Sequence, residues 1–335
     1  MSDPLLEVRS LTKVFPARNR GGEPVRAVTD VSFDLLKGET LGLVGESGSG
    51  KSTIGQCIVR LVRPDHGQIC LEKRDIAQLS RRQLRPTRNA VQMIFQDPSS
   101  SLNPRMTVGD ALREALFLRH RHDNRAAIEA RLFEMMNLIG LRPEFVDRYP
   151  HQMSGGQKQR IGIARALAME PEIVVADEAV SALDVSIQAQ IITLLQGLRE
   201  KLGLTMLFIS HDLGVVRYVA DRVAVLYLGR LVEIGKTQDI FTQPRHPYTE
   251  ALLSAIPSLD HPLDEEEELY EVQSSEKTQP TQGCVFAPRC PHVTTQCLEK
   301  QPVLTEVNAG HGHASACLRQ EIYASRMKAE GHTDA

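Results

Sequence analysis

Apolar positions change period several times along the chain, and each change marks an element. Residues 5–15 (LLEVRSLTKVF) and 25–36 (VRAVTDVSFDLL) alternate apolar with polar and are rich in β-branched side chains, which predicts two half-buried strands. The turn-forming NRGGEP separates them. Residues 40–44 (TLGLV), 91–95 (VQMIF), 173–176, 205–210 and 222–227 are short runs with little alternation, as expected of strands buried on both faces. Helical periodicity appears between them, over 52–61, 107–118, 125–140 and 186–202. In the third of these Ile128, Leu132, Met135 and Ile139 share a face; in the fourth Ile187, Ile191, Leu194 and Leu198 do, and both stripes predict core packing. Gly229 marks a hairpin from 222–227 into 231–234. Strands alternating with helices specify an α/β fold around a mainly parallel sheet.

Composition fits this picture: 335 residues, 41% hydrophobic and 24% charged, suggest two domains or one large domain with an appendage. The net charge of −3 excludes broad electrostatic attraction to nucleic acid or anionic lipid. No apolar run is long enough to span a bilayer, and MSDPLLEVRS lacks the apolar core of a signal segment, so a cytosolic product is expected. The pattern breaks near residue 257, where five consecutive acids, Asp264 to Glu268, and a polar stretch suggest a solvated linker over 258–282. Four of the six cysteines, Cys284, Cys290, Cys297 and Cys317, then fall in the last 52 residues, spaced C-x5-C-x6-C-x19-C. In a cytosolic chain four thiolates suit zinc or an iron–sulfur cluster before disulfides, with His292, His311 and His313 nearby; reduced, unliganded thiols are the alternative.

The strongest chemical signal is Gly45-Glu46-Ser47-Gly48-Ser49-Gly50-Lys51-Ser52-Thr53, a complete G-x-x-x-x-G-K-[ST] phosphate loop between an apolar strand and a helix. Glycines let successive N–H groups face a phosphate, and the helix start adds its positive end. Lys51 is expected on the β- and γ-phosphates of ATP, and the Ser52 hydroxyl on Mg²⁺. The strand at 173–176 runs into Asp177 and Glu178; Asp177 is the expected Mg²⁺ carboxylate and Glu178 the general base for the attacking water.

Ser154-Gly155-Gly156-Gln157, shortly upstream of the Asp177–Glu178 pair and preceded by Met153, resembles the signature of ABC transporter nucleotide-binding subunits. The resemblance implies a phosphate-loop ABC cassette, with a RecA-like parallel-sheet core, an antiparallel β subdomain and a helical subdomain at about 97–168, together covering 5–257. It implies a head-to-tail ATPase dimer in which the signature acts in trans on the other subunit's ATP. Gln96 matches the glutamine that senses Mg²⁺ and water, Ser181-Ala182-Leu183-Asp184 the loop linking the two sites, and His211 the switch histidine near the γ-phosphate. Phe15 is placed to stack on adenine, with an ordinary core phenylalanine as the alternative. Ala179-Val180 stand where the family usually has Pro-Thr.

Within that family the chain is most similar to the second ATPase subunit of oligopeptide and dipeptide importers. Ser101-Leu102-Asn103-Pro104-Arg105, Ser181 through Ser186, Pro244-Arg245-His246-Pro247-Tyr248-Thr249, and the tail at 283–286 and 289–291 carry the likeness. It implies an ATP-hydrolysing motor for uptake of di- or oligopeptides or similar solutes, with glutathione or chelated nickel as other cargoes. It implies a second ATPase subunit (a copy or a paralogue), two permeases and an extracytoplasmic solute-binding protein as partners, at the cytoplasmic face of the inner membrane. It also implies a cysteine-rich extension at 283–320 that holds a [4Fe–4S] cluster, with zinc as the alternative and a structural or regulatory role far from the phosphates in sequence; residues 321–335 are expected to fray. A soluble ABC ATPase acting on DNA or ribosomes is the rival class. It is disfavoured because about 100 residues without sustained heptads separate Lys51 from Ser154 and because the chain has one cassette. No nucleic-acid partner is expected.

Overall fold

The computed structural model describes residues 3–17, 23–255, 282–307 and 312–322. Nearly all of the acidic stretch, His311 and most of the last residues lie outside them. The first two strands, β1 (Pro4–Phe15) and β2 (Val25–Leu36), pair antiparallel as their alternation predicts. They are joined by β4 (His66–Leu71) and β5 (Arg74–Asp75) in a four-stranded antiparallel sheet of order β2-β1-β4-β5. Sequence reasoning missed β4 and β5, since HGQICL carries only a brief alternation.

The second sheet holds the site. It uses β3 (Thr40–Val44), β6 (Val91–Ile94), β7 (Ile173–Asp177), β8 (Thr205–Ile209), β9 (Arg222–Tyr227), β10 (Arg230–Lys236), β11 (Thr305–Glu306) and β12 (Ala314–Ser315), in the order β11-β12-β10-β9-β3-β8-β7-β6. From β9 to β6 the strands are parallel; β10, β11 and β12 extend the edge antiparallel. Both faces are buried, which is why these strands read as apolar runs. Ile173, Val175, Leu207, Ile209, Ala224 and Leu226 face one core, shared with β1, β2, β4 and the helix α1 (Lys51–Ile58). The alternate residues Val174, Ala176, Met206, Phe208, Val223 and Val225 face the other. After the short α2 (Pro98–Ser101), that second core continues into the helices α3 (Val108–Arg119), α4 (Arg125–Leu138), α5 (Gly155–Leu167), α6 (Val185–Leu202) and α7 (Leu213–Val219), and α8 (Thr237–Thr242) adds Ile240 to it.

Helix ends follow side-chain chemistry. Thr107, Asn124, Ser154 and Asp212 each accept a backbone N–H at the start of α3, α4, α5 and α7. α6 stops at Gly203, in a left-handed conformation (φ 64°). Two stripes need correction in detail. On α4 the fully buried methionine is Met136, with Met135 only half-buried, and on α6 Leu195 is buried while Ile187 and Leu194 lie at the margin. A 3.6-residue period leaves neighbouring apolar positions competing for the core-facing direction, and the contact surface decides. α1 also ends earlier than the pattern suggests, because Arg60 adopts φ 58°.

Candidate nucleotide site and cysteine cavity

β3 delivers the phosphate loop at its carboxyl end, where parallel α/β sheets open their crevice. Two glycines are demanded there. Gly45 has φ +149°, and a Cβ on it would lie 2.0 Å from the Leu226 carbonyl oxygen; on Gly50 (φ +104°) a Cβ would meet the Ala27 carbonyl at 2.1 Å. The loop is tied from outside by the β9–β10 turn, where the Gly229 N–H donates to the Ser49 carbonyl at 2.8 Å and the Thr29 N–H donates to that of Gly229 at 2.8 Å.

Lys51 is buried, and its ammonium donates to the carbonyls of Gly45 (2.7 Å) and Glu46 (2.9 Å). Burial pulls its pKa below the ordinary lysine value, opposed by Glu178, Asp177 and Glu46. The Ser52 hydroxyl donates to Asp177 Oδ1 at 2.8 Å. Burial raises the Asp177 carboxyl above the usual range, with the Ser52 hydrogen bond opposing. A hydroxyl and a buried carboxylate side by side form a hard-oxygen pair suited to Mg²⁺, whose charge would relieve the desolvation that raises Asp177.

Glu178 follows β7 directly at φ 46°, a left-handed conformation uncommon for a non-glycine residue, held by its N–H donating to the Ile209 carbonyl at 2.9 Å. That turn aims the carboxylate between two partners. Gln96 Nε2 donates to Oε2 at 2.8 Å, and His211 Nδ1 stands 3.4 Å from Oε1. Gln96 also reaches the Ser181 hydroxyl at 3.3 Å. Glu178, His211, Gln96, Ser181, Asp177, Ser52 and Lys51 thus form one group, drawn from four separate stretches of chain.

Ser154 caps α5 with a reciprocal box: its Oγ accepts the Gln157 N–H at 3.3 Å, and Gln157 Oε1 accepts the Ser154 N–H at 3.0 Å. Ser154 and Gly155 are exposed, while Gly156 packs so closely that a Cβ would sit 2.5 Å from Ile187. Leu183 lies beside Gly155, so Ser181–Asp184 links the signature turn to Glu178 within the chain. The buried Gln159 reaches back to the Phe95 carbonyl at 3.4 Å, tying α5 to the glutamine segment. Phe15, at the end of β1, is half-buried rather than in the core, with Lys13 Nζ 5.3 Å from its ring centre.

The cysteine-bearing residues fold back onto the site. Cys284, Cys290, Cys297 and Cys317 line one small cavity together with Phe286 and His292. Burial raises the thiols of Cys284 and Cys290 and pushes Cys317 up to about 12. Among the described residues no three His, Cys, Asp or Glu side chains are placed to hold a single metal ion. β12 pairs with β10, and below it His313 Nε2 lies 2.7 Å from the fully buried Glu233. Sequence reasoning missed the roles of three residues that bring this unit to the phosphate loop. Phe286 packs on Tyr227 and Tyr248 with ring centres 5.3 and 5.5 Å away, the Tyr248 hydroxyl accepts the Glu46 N–H at 2.9 Å, and Arg289 Nη1 pairs with Glu46 Oε1 at 2.8 Å.

A strand–phosphate loop–helix, a second strand ending in two acids and a capped signature helix on one chain define an ATP-hydrolysing ABC cassette. Comparison with known proteins agrees. The ABC transporter family model matches residues 28–181, and that of the oligopeptide/dipeptide transporter C-terminal region matches 232–297. A putative peptide import ATP-binding protein of Brucella ovis is 49% identical over 319 residues, 95% of this chain and 99% of that protein. The oligopeptide transport ATP-binding proteins AppF of Bacillus subtilis and OppF of Haemophilus influenzae are 46% and 44% identical, over 93% and 94% of this chain and 96% and 97% of theirs. Among solved structures, the dimeric ABC transporter cassette MJ0796 aligns with TM-score 0.63 at 30% identity, covering 69% of this chain and 98% of that one. The chain belongs to the oligopeptide/dipeptide family of ABC transporter ATP-binding proteins. Among the described residues no helix is long and apolar enough to cross a membrane.

Proposed function

We propose that this chain is the motor of a peptide importer, coupling ATP hydrolysis in a head-to-tail ATPase dimer to uptake of di- or oligopeptides or peptide-like solutes. The observation that carries the reading is the convergence of Gln96 and His211 on the Glu178 carboxylate, on the same chain as an intact signature turn. N–H groups of residues 47–53 cradle the phosphates, and Lys51 leaves its two carbonyls for the β- and γ-oxygens. Phe15 stacks on adenine. Ser52, Asp177 and Gln96 would hold Mg²⁺, which supplies charge neutralisation on the transferring phosphate. Glu178 takes the proton of the attacking water while His211 steadies the carboxylate and Gln96 orients the water. Ser154 to Gln157 present a capped helix end to ATP on the other ATPase subunit, a copy or a paralogue.

Two permeases and an extracytoplasmic solute-binding protein complete the assembly, with this chain peripheral at the cytoplasmic face of the inner membrane. The names of the peptide-import relatives support the cargo class. The four cysteines line one small cavity, and an all-thiolate set of four suits a [4Fe–4S] cluster, with zinc as the alternative. Bound iron would also keep as thiolates groups that burial otherwise holds protonated.

The test is ATP turnover by the reconstituted importer. Peptide-loaded binding protein should stimulate the parent, whereas Glu178→Gln should lower turnover by about 100-fold or more, retain ATP and trap the closed dimer. Hydrolysis by the variant at the parent rate removes Glu178 as base; stimulation by a non-peptide solute alone removes the cargo reading.

A further inference from the structure

We propose that Tyr248 and Arg289 are positioning residues for the phosphate loop, through which the cysteine-bearing unit sets the affinity for ATP. This rests on the chain binding ATP at residues 45–53 and is independent of what the cysteines hold. All three polar groups of Glu46 are engaged. Its carbonyl accepts from Lys51 at 2.9 Å, its N–H donates to the Tyr248 hydroxyl at 2.9 Å, and its carboxylate pairs with Arg289 at 2.8 Å. The N–H of residue 46 is therefore directed away from the ligand cradle and serves as an anchor. The anchor is firm where it matters: Tyr248 is only 1% exposed and wedged between Tyr227 and Phe286, with ring centres at 4.5 and 5.5 Å.

Arg289 rides on the short turn Ala287–Arg289, between Cys284 and Cys290, and its guanidinium lies 5.8 Å from the Tyr227 ring centre. Its backbone is fixed by the same turn that closes the cysteine cavity, since the Ala287 N–H donates to the Cys284 carbonyl at 3.1 Å and the Cys290 N–H to that of Ala287 at 3.3 Å. Any displacement of that turn moves the guanidinium that faces the loop. When Lys51 departs for the phosphates, Glu46 keeps the Ser49 N–H on its carbonyl at 3.1 Å and the two holds from outside. A loop held in its binding shape before the nucleotide arrives loses less freedom on binding, so these contacts act on ATP affinity rather than on the chemical step.

The experiment measures KM and kcat for Mg-ATP with the full-length chain in its assembly, together with amide hydrogen exchange across residues 45–50. Tyr248→Phe, which keeps the ring and removes the acceptor, should raise KM about five-fold. Arg289→Gln should raise it about two- to three-fold, with Arg289→Lys recovering part of the loss, as befits a half-exposed pair. In both, kcat should stay within about two-fold and exchange at the loop should quicken. Combining Arg289→Gln with Glu46→Gln should cost no more than the worse single change. Unchanged KM in both single variants, additive loss in the double variant, or a fall in kcat matching the rise in KM overturns the proposal. A parent chain that fails to bind ATP would instead overturn the nucleotide site itself.

Discussion

The phosphate loop and the cysteine cavity meet at Glu46, but they are made in opposite ways. The loop is nine consecutive residues whose shape is set mainly by short-range pattern: glycine where φ is positive and where a Cβ would lie 2.0 Å from another segment's carbonyl oxygen, a strand before and a helix after. The cavity joins residues 284, 290, 297 and 317 to His246 and Pro247, and it is held down by β12 on β10 and by the Ser315 hydroxyl donating to the Arg245 carbonyl at 2.8 Å. One is a conformation the chain adopts wherever its neighbours are a strand and a helix. The other exists only when distant segments have found each other. The first should therefore fail through strain at single atoms, and the second through lost packing.

The largest effect expected is at the loop. Gly45→Ala puts a methyl group into the Leu226 carbonyl in a backbone region closed to side chains, and ATP binding followed by calorimetry should fall by about 100-fold or more. Binding within three-fold of the parent would break the contrast, because the loop would then tolerate a different shape. Next comes the packing side. Phe286 is 1% exposed, and Phe286→Ala should destabilise the docked cysteine unit by about 3–5 kcal/mol. Proteolysis and hydrogen exchange of residues 284–317 should accelerate, while ATP affinity should drop by less than about ten-fold, since the loop keeps its glycines and its Gly229 tether. Equal losses of packing and of ATP binding would mean the two regions are one cooperative unit.

What was legible in the sequence follows the same division. The phosphate loop, the Asp177–Glu178 strand end, the Ser154 cap and the positions of most strands were readable because each is a short-range pattern. The two-sided burial of β7 and β8 was visible as unbroken apolar runs. β4 and β5 were not visible, because Ile69 and Leu71 become core only once β1 lies beside them. The role of Tyr248 was hidden as well: the stretch Pro244 to Thr249 stood out, but nothing local says that its tyrosine hydroxyl accepts a bond from residue 46, 202 positions earlier. The contact of the cysteine tail, far from the phosphate loop in sequence, with that loop through Arg289 was hidden for the same reason.

The smallest effect expected at neutral pH becomes visible only in acid, and it sharpens the packing half of the contrast. His246 is 1% exposed, caps α9 (Pro247–Ser254) by accepting the Tyr248 N–H on Nδ1 at 3.1 Å, and packs on Phe286. Burial lowers its pKa to about 3, against 6.5 for a free imidazole. A depressed histidine stays neutral in the fold while the unfolded chain takes up a proton, so its contribution is complete above pH 6.5 and is lost progressively as pH falls toward 3. Its neighbour Glu233 works with the opposite sign: burial raises that carboxyl, so its contribution is present at low pH and is lost as pH rises through the folded value. His246→Asn keeps an acceptor for the Tyr248 N–H and removes the titration. At pH 7 the variant carries only the cost of its smaller side chain. Between pH 7 and 5 the parent should lose on the order of 2 kcal/mol that the variant does not. Chemical unfolding at both pH values reads the difference, and parallel losses in parent and variant would show that the acid sensitivity of this unit resides in groups other than His246.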